Sequence, residues 1–484
     1  MNRPVRKVAV ACMVLFAALL VNANWIQVGQ AERLRTEPTN ARQIVERLER
    51  QRGAIVAGET EIARSVPVDD EYKYQRQYPQ GERYAAITGY YTLFTAAGLE
   101  RSEDVFLSGD DDRLLASRVT DLFTGEERRG GNVVTTIVPQ IQEKAEEALK
   151  RAGAKGSVVA LDPSTGAILA MVSIPSYDPN ALASHDEDAA TAAYQTLSTN
   201  PDQPLLNRAT QETYPPGSTF KVITAAAALA AGYEPSDRIA APDELQLPQS
   251  TTKLPNFGGG RCGDGQTDTL IHALTISCNT AFAQLGIDLG DDALRRMAEA
   301  FGFNSAVDGF PLPMARSVFP DDLDGAQTAQ SAIGQYDVRV TPLQMAQVAA
   351  TIANGGVRMK PYLVSELYGP DLRRLDRTEP TELGRVISSE VAAKLTTMME
   401  SVVSSGSGRR AQISGVAVAG KTGTAEHGEG TQPHAWFIGF APAANPQVAV
   451  AVIVEDGGGE LGTGGAVAAP VAKEVMQAAL DTPR

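Results

Sequence analysis

The order of apolar and polar positions divides the chain into distinct segments. Arg3, Arg6 and Lys7 precede an unbroken apolar run from Val8 to Val21, and a mixed tail with Asn22, Asn24, Trp25 and Gln27 carries it to Val28. A helix crossing a bilayer core needs ~20 apolar residues, whereas the apolar core of a cleaved export signal needs ~7–15. Residues 8–28 just reach the longer figure, and Val21-Asn22-Ala23 is a poor cleavage site. We therefore expect an uncleaved single-pass anchor whose basic end stays inside. From about Ala31 to Gly130, short strand-like pieces lie among many Arg, Glu, Asp and Tyr residues, with few long apolar runs, which predicts a modest, polar-surfaced domain.

Stronger periodicity follows. In "VPQIQEKAEEALKRAG", Ile141, Ala145, Ala148 and Leu149 share one helical face, and Gly153 closes the helix. "GSVVALDPSTGAILAMVS" reads as strand, turn and strand. Far downstream, "HAWFIGFAP" and "QVAVAVIVED" are two more strands, followed by the helical "GAVAAPVAKEVMQAAL". Strands at both ends of one region with helices between them predict a sheet assembled from distant sequence, an α/β unit with a helical insertion. The expected division is a cytoplasmic tip and anchor over 1–28, a pedestal unit over 29–145 and a large domain over 146–484.

Composition changes this picture in two respects. The 484 residues are 43% hydrophobic, enough for two or three globular domains, and the formal charge of −15 excludes a nucleic-acid partner, which needs a concentrated basic surface. Of three cysteines, Cys12 lies in the anchor, leaving Cys262 and Cys278 on the exported side, where thiols usually pair. A bridge closing so short a loop contributes about 3 kcal/mol in the chain-entropy model. Two buried free thiols are the alternative.

Candidate chemistry begins at "YPPGSTFKVITAAAALAAG" from Tyr214. Two prolines and a glycine deliver Ser218 and Lys221 to the start of a helix, where residues three apart share a face. A serine hydroxyl is a weak nucleophile until a base takes its proton, and a lysine is such a base only when its pKa is depressed, as a second buried cation would do. Alone, the pair reads as an ordinary helix N-cap. Ser250 and Lys253 repeat the spacing inside a proline-flanked loop. What separates the first pair is its company. Ser277 and Asn279 lie in "TISCNTAF", and Lys421, Thr422, Gly423 and Thr424 lie in "AVAGKTGTAEHGEG" on a strand-like run suited to the edge of a cleft. Gly423 would admit a substrate backbone, and the Thr422 and Thr424 hydroxyls could hold a carboxylate.

Ser-x-x-Lys, Ser-x-Asn and Lys-Thr-Gly, 59 and then 144 residues apart, form the triplet of penicillin-binding proteins and serine β-lactamases. "QRGAIVAG", "RQYPQGERYAAITGY" and "GLERSEDVFLSG" resemble the N-terminal domain of class B penicillin-binding proteins, and "ALDPSTGAILAMVSIPSYDPN" with "NRATQETYPPGSTFK" resembles the start of their catalytic domain. The resemblance implies a membrane anchor, a small α+β pedestal, and a transpeptidase domain of mostly antiparallel sheet flanked by helices with an all-helical subdomain. It implies a peptidoglycan D,D-transpeptidase at the cell membrane with its catalytic domain outside, acting on stem peptides and trapped by β-lactams, without cofactor or metal. By motif, Ser218 is the acylated nucleophile, Lys221 its base, Ser277 and Asn279 the proton-relay and substrate-amide positions, and Lys421 the carboxylate-binding cation. The N–H groups of Ser218 and Thr424 are the oxyanion hole. A RodA/FtsW-type glycosyltransferase and division or elongation proteins are the implied partners. Cys278 falls inside the Ser-x-Asn motif, so a bridge to Cys262 would tie a loop to the site. A D,D-carboxypeptidase, a β-lactamase or a non-catalytic scaffold are the rival readings.

Weaker signals are expected to be structural. "GGGELG" at Gly457–Gly462 fits a dinucleotide-loop pattern but leaves no room for the second strand such a site requires. His427 and His434, with Glu426, read as solvated loop residues for want of a third or fourth ligand. Asp110–Asp112 and "HDEDAA" from His185 read as solvated surface, and Trp436 as a core-facing strand aromatic.

Overall fold

The fold is described from a computed structural model, over residues 3–30, 49–115, 123, 128–153, 155–428, 430–457 and 462–483. Helix α1 (Arg3–Asn24) continues into a wider turn at Trp25–Gly29 and buries none of its side chains. Val8, Leu15 and Phe16 are all exposed. The stretch Arg3–Gln27 is long and apolar enough to cross a membrane. Such a surface is satisfied by lipid, and the helix fits a single-pass anchor.

The pedestal opens with β1 (Ile55–Ala57), β2 (Thr60–Pro67), β3 (Tyr74–Gln77) and β4 (Asn132–Thr135). Three segments that resemble the class B N-terminal domain meet at one buried ion cluster. Arg52 Nε lies 2.7 Å from Glu100 Oε2, Arg76 Nε lies 2.6 Å from Glu100 Oε1, and Arg52 Nη1 lies 2.6 Å from Asp104. Glu100 is fully buried. Burial pushes its carboxyl up, but the Arg76 and Arg52 guanidiniums outweigh this and hold it below the ordinary glutamate range.

Past the pedestal, α2 (Pro139–Ala152) starts with proline in its first turn and buries the expected face, Ile141, Ala145, Ala148 and Leu149. It leads into the hairpin β5 (Gly156–Leu161) and β6 (Ile168–Ile174), whose Asp162–Gly166 turn ends on Gly166 at φ +82°. Helices α3 (Lys221–Ala230), α4 (Asn279–Leu289) and α5 (Pro342–Ala353) belong to the helical insertion. Strands β7 (Val364–Tyr368) and β8 (Arg374–Arg377) then return to the pedestal, giving a six-stranded sheet in the order β8-β7-β4-β1-β2-β3. The pedestal sheet thus takes two strands from beyond residue 145.

After α6 (Ser389–Ser404), strands β9 (Ala419–Ala425), β10 (His434–Ala441) and β11 (Val448–Val454) complete a five-stranded antiparallel sheet in the order β9-β10-β11-β5-β6, and α7 (Ala468–Asp481) closes the fold. Both faces of this sheet are covered. Val448, Val450, Val452 and Val454 pack with the apolar faces of α2 and α7. Ala449, Ala451 and Ile453 point the other way into the cluster containing Leu343, Met345 and Ala346 of α5. The period-2 alternation sends each set to its own layer, so a strand buried on both faces reads as a continuous apolar run. Trp436 is fully buried, and its Nε1 donates to the Pro215 carbonyl at 3.1 Å.

Candidate active site

The strand-edge and the serine turn meet because two residues have no side chain. Ser218 lies in a 3-10 turn, Gly217–Phe220, that runs directly into α3. The 3-10 geometry eclipses positions i and i+3 and so aligns Ser218 with Lys221 more closely than the α-helical turn expected from sequence. Gly217 has φ +52°, and a Cβ there would lie 2.7 Å from the Thr424 carbonyl. A Cβ on Gly423 would lie 3.0 Å from the Pro216 carbonyl, Thr219 and Trp436. The closely approaching backbone at Gly423 is therefore that of the serine turn. The alanine run in α3 has a packing cause: Lys221 through Leu229 are all buried, so short side chains let neighbouring helices approach from several sides.

Lys221 and Lys421 are both fully buried, and among the described residues neither has a carboxylate partner. Lys221 Nζ donates to the Ser277 carbonyl at 2.8 Å and to Asn279 Oδ1 at 2.7 Å, and lies 3.4 Å from Ser277 Oγ. Lys421 Nζ donates to the same Oγ at 2.8 Å and to the Thr422 carbonyl at 2.8 Å. Ser277 is thus the bridge between two buried amines. Burial first, and then the charge of Lys421, pushes Lys221 well below the ordinary lysine range, and burial brings Lys421 down to about 7. Two adjacent ammonium groups without a counter-ion disfavour holding both protons, so a neutral amine is available near neutral pH.

Ser277 reaches this position through a backbone conformation that sequence does not announce. Its φ is +66°, in the left-handed region unfavourable for residues with a side chain. The turn aims its carbonyl and hydroxyl at the lysines, between the short helix Leu270–Thr275 and α4. Asn256 is a further positioning residue. Its Oδ1 accepts from the N–H of Asn279 at 3.0 Å and of Thr280 at 3.1 Å, capping α4 from a distant loop. Cys262 and Cys278 are joined, with Cα atoms 6.1 Å apart, which fixes that loop to the start of α4.

Ser218, Ser277, Asn279, Thr422 and Thr424 line one cleft of about 370 Å³. Ser407 also lines it, and its Oγ lies 2.7 Å from Thr422 Oγ1. Ser218 Oγ makes no hydrogen bond among the described residues, so it stands ready for a substrate rather than held by Lys221. Strand β9 is the edge of its sheet. Alternate N–H groups of such a strand face outward, here beside the cleft, where an extended peptide can pair with them.

The other singled-out residues lie elsewhere. Lys253 is exposed and pairs with Glu244. Asp186 is more than solvated surface: it caps the helix Glu187–Ser198 by accepting from the Ala189 N–H, while His185 pairs with Asp70. Asp110 pairs with Arg50 and Arg128. The Gly457–Gly462 loop falls largely outside the described residues. His434 corrects the expectation of a solvated loop residue, because it is buried at the start of β10, whereas His427 lies in the loop as expected; both converge on Asp456 instead of Glu426. The antiparallel register that sets Ala435 opposite Val454 brings Asp456 there from 22 residues downstream of His434.

Comparison with known proteins agrees with this geometry. Residues 156–477 match the penicillin binding protein transpeptidase domain, and residues 52–133 match the penicillin binding protein A dimerisation domain. The chain is 51% identical over 491 residues to the peptidoglycan D,D-transpeptidase PbpA of Mycolicibacterium smegmatis, covering 99% of both chains. The PbpA of Mycobacterium tuberculosis is 50% identical with the same coverage. Among solved structures, a ceftriaxone acyl-enzyme complex of penicillin-binding protein A from M. tuberculosis superposes with a TM-score of 0.88 at 50% identity, covering 90% of this chain and all of the other. A penicillin G acyl-enzyme complex of that protein gives 0.86 at 51% identity, covering 89% of this chain and all of the other.

Proposed function

The chain belongs to the penicillin-binding protein transpeptidases, and from that premise we propose how its own residues carry the reaction. It is a peptidoglycan D,D-transpeptidase that works through a serine acyl-enzyme and is acylated by β-lactams. The observation that carries the assignment of roles is the convergence of two buried, unpaired lysines on Ser277 Oγ, beside the free hydroxyl of Ser218.

Ser218 Oγ attacks the carbonyl between the two terminal D-alanines of a donor stem, and its proton passes to neutral Lys221. The N–H groups of Ser218 and Thr424 receive the oxyanion, where preorganised donors stabilise charge as it develops. Collapse breaks the amide and expels D-alanine, whose amine is protonated through Ser277. That hydroxyl touches both lysines and can pass a proton from either. The amine of a second stem then attacks the ester, forms the cross-link and returns Ser218 to its starting state. Asn279 holds Lys221 through Oδ1, which leaves its amide N–H groups for the donor backbone. Lys421 lies behind Thr422 and acts on the terminal carboxylate by its field, while the Thr422 and Thr424 hydroxyls make the contacts. Gly423 serves the same site by admitting the serine turn.

The proposed units are the anchor over 1–28, the pedestal over 29–145 and the transpeptidase domain over 146–484, with β7 and β8 lent back to the pedestal. The basic residues ahead of α1 support an extracytoplasmic catalytic domain. The exposed apolar surface of α1 supports contact within the membrane with a RodA/FtsW-type glycosyltransferase, and division or elongation proteins are the further partners proposed. A synthetic D-Ala-D-Ala stem given to the full-length protein in detergent, with increasing amine acceptor, tests the reaction. The expected result is a cross-linked product that grows with acceptor at the expense of hydrolysis. Hydrolysis indifferent to acceptor would make the protein a carboxypeptidase, and no turnover would favour a scaffold.

A further inference from the structure

We propose that the cavity between the pedestal and the far edge of the transpeptidase sheet binds the glycan strand of peptidoglycan, taking the pyranose rings of its N-acetylated sugars. The cavity has a volume of about 630 Å³, larger than the catalytic cleft. Its walls come from the pedestal helices Gly81–Thr88 and Gly98–Ser102, from the segment 173–211 and from the proline-containing loop 310–313. A concave site of ~300–1,000 Å³ that combines aromatic walls with a few placed polar groups is the ordinary form of a small-ligand site.

The lining suits a sugar. Tyr90, Tyr177 and Tyr194 stand edge to face, with the Tyr90 ring centroid 6.2 Å from that of Tyr177 and 6.5 Å from that of Tyr194. Rings that meet this way leave flat faces uncovered, and the apolar C–H face of a pyranose packs on such a face while its hydroxyls reach the polar groups around it. Tyr177 is only 7% exposed, yet its hydroxyl has no hydrogen-bond partner among the described residues. It offers the cavity one donor and one acceptor. Gln211 accepts the Asn207 N–H through Oε1 at 3.1 Å, which leaves its amide N–H groups to donate. Among the described residues no aspartate or glutamate lines the cavity, and its one charged group is the Arg101 guanidinium, exposed and without a carboxylate partner. A basic peptide or a metal cation finds no counter-charge here. The hydroxyls and acetamido carbonyls of a neutral glycan find donors, and Arg101 adds one for a carboxylate of an attached stem.

Sheet register places this cavity relative to the chemistry. Ser173 of β6 pairs with Ser157, which pairs in turn with Ile453, Trp436 and Gly423 of β9. These five residues share one row and one face, and Ser173 lines the cavity while its Oγ donates to the Leu206 carbonyl at 3.0 Å. Four inter-strand spacings set the cavity about 19 Å from the Lys-Thr-Gly strand. It is a second site, at the opposite edge of the sheet from the cleft, and none of the residues that carry the chemistry lines it. Each stem hangs from a glycan, so holding the strand here keeps its stems near Ser218 at a raised effective concentration. The proposal rests on the peptidoglycan transpeptidase reading and adds the sugar part of the substrate to it.

Full-length protein in a sugar-free detergent is titrated calorimetrically with the β-1,4-linked tetrasaccharide of N-acetylglucosamine, a glycan without stems. One tetrasaccharide per chain is expected, with affinity about tenfold weaker in Tyr194→Ala and in Tyr90→Leu, the loss of one packed ring. Tyr194 is 44% exposed on a helix that buries none of its side chains, so its removal leaves the fold intact. Leu372→Ala, at an exposed apolar residue elsewhere on the pedestal, should bind as native. In Tyr194→Ala the KM for uncross-linked peptidoglycan should rise about tenfold relative to the KM for a soluble stem peptide. Penicillin acylation of each variant shows that it is folded and reports on the catalytic reading separately. A native protein that binds no tetrasaccharide, native affinity in either tyrosine variant, or an unchanged ratio of the two KM values would overturn the proposal.

Discussion

Lys221→Met is expected to slow the acylation of Ser218 by penicillin about 10²–10⁴-fold, the usual contribution of a positioned general base. Methionine keeps the length and most of the volume of the side chain while removing the amine. The loss is therefore chemical, and unchanged thermal unfolding will show it. Lys221 suits this role because it is buried, lacks a carboxylate partner and faces the charge of Lys421, all of which favour the neutral amine. The same shift fixes the sign of the pH dependence. A base with a lowered pKa becomes active as pH rises through that lowered value, so acylation should increase well below the ordinary lysine range. The native rising limb should disappear in the variant. Time-resolved adduct formation across pH measures both effects, and an acylation rate within threefold of native would move the base to another group.

Glu100→Ala is expected to cost the pedestal about 3–5 kcal/mol, because it strands Arg52 and Arg76 as buried guanidiniums without their shared carboxylate. Hydrogen exchange at β1 and β4 of the full chain reads this loss locally. Glu100 also imposes a pH dependence on the native protein. Its folded pKa lies below the unfolded value of about 4.3, so its stabilising contribution is fully present above that value and is lost as pH falls through the folded one. Native pedestal protection should fall as pH drops below about 4.3, and that part of the fall should be absent in Glu100→Ala. Equal protection of both proteins at neutral pH would refute the role given to the cluster.

The sequence made parts of this molecule legible where local pattern and local structure share a cause. The faces of α2, the β5–β6 hairpin and the strands β10 and β11 follow from periodicity and turn residues, because each buries the set of side chains its period selects. The triplet motifs marked Ser218, Lys221, Ser277, Asn279 and Lys421, since short spacings on a helix or an edge strand carry direct geometric meaning. Long-range pairing carried no such signal. Strands β7 and β8 join the pedestal sheet across more than two hundred residues, and nothing in "VSELY" names β4 as its partner. Asn256 lies just after Pro255, ahead of a glycine-rich turn, and caps α4 only once the chain has folded. Asp456 reaches two histidines through sheet register, and Ser277 gains its aim from a left-handed turn that its residue type does not favour. Gly423 was legible as a site of close approach, but the partner in that approach is the serine turn.

The central claim is that Ser218 is the nucleophile of a serine acyl-enzyme. Intact-protein mass spectrometry after incubation with penicillin tests it most directly, with full-length native protein beside Ser218→Ala. The account predicts a single stable adduct on the native chain that maps to Ser218, and none on the variant. An adduct that survives in Ser218→Ala, or a native protein that forms none, would contradict it.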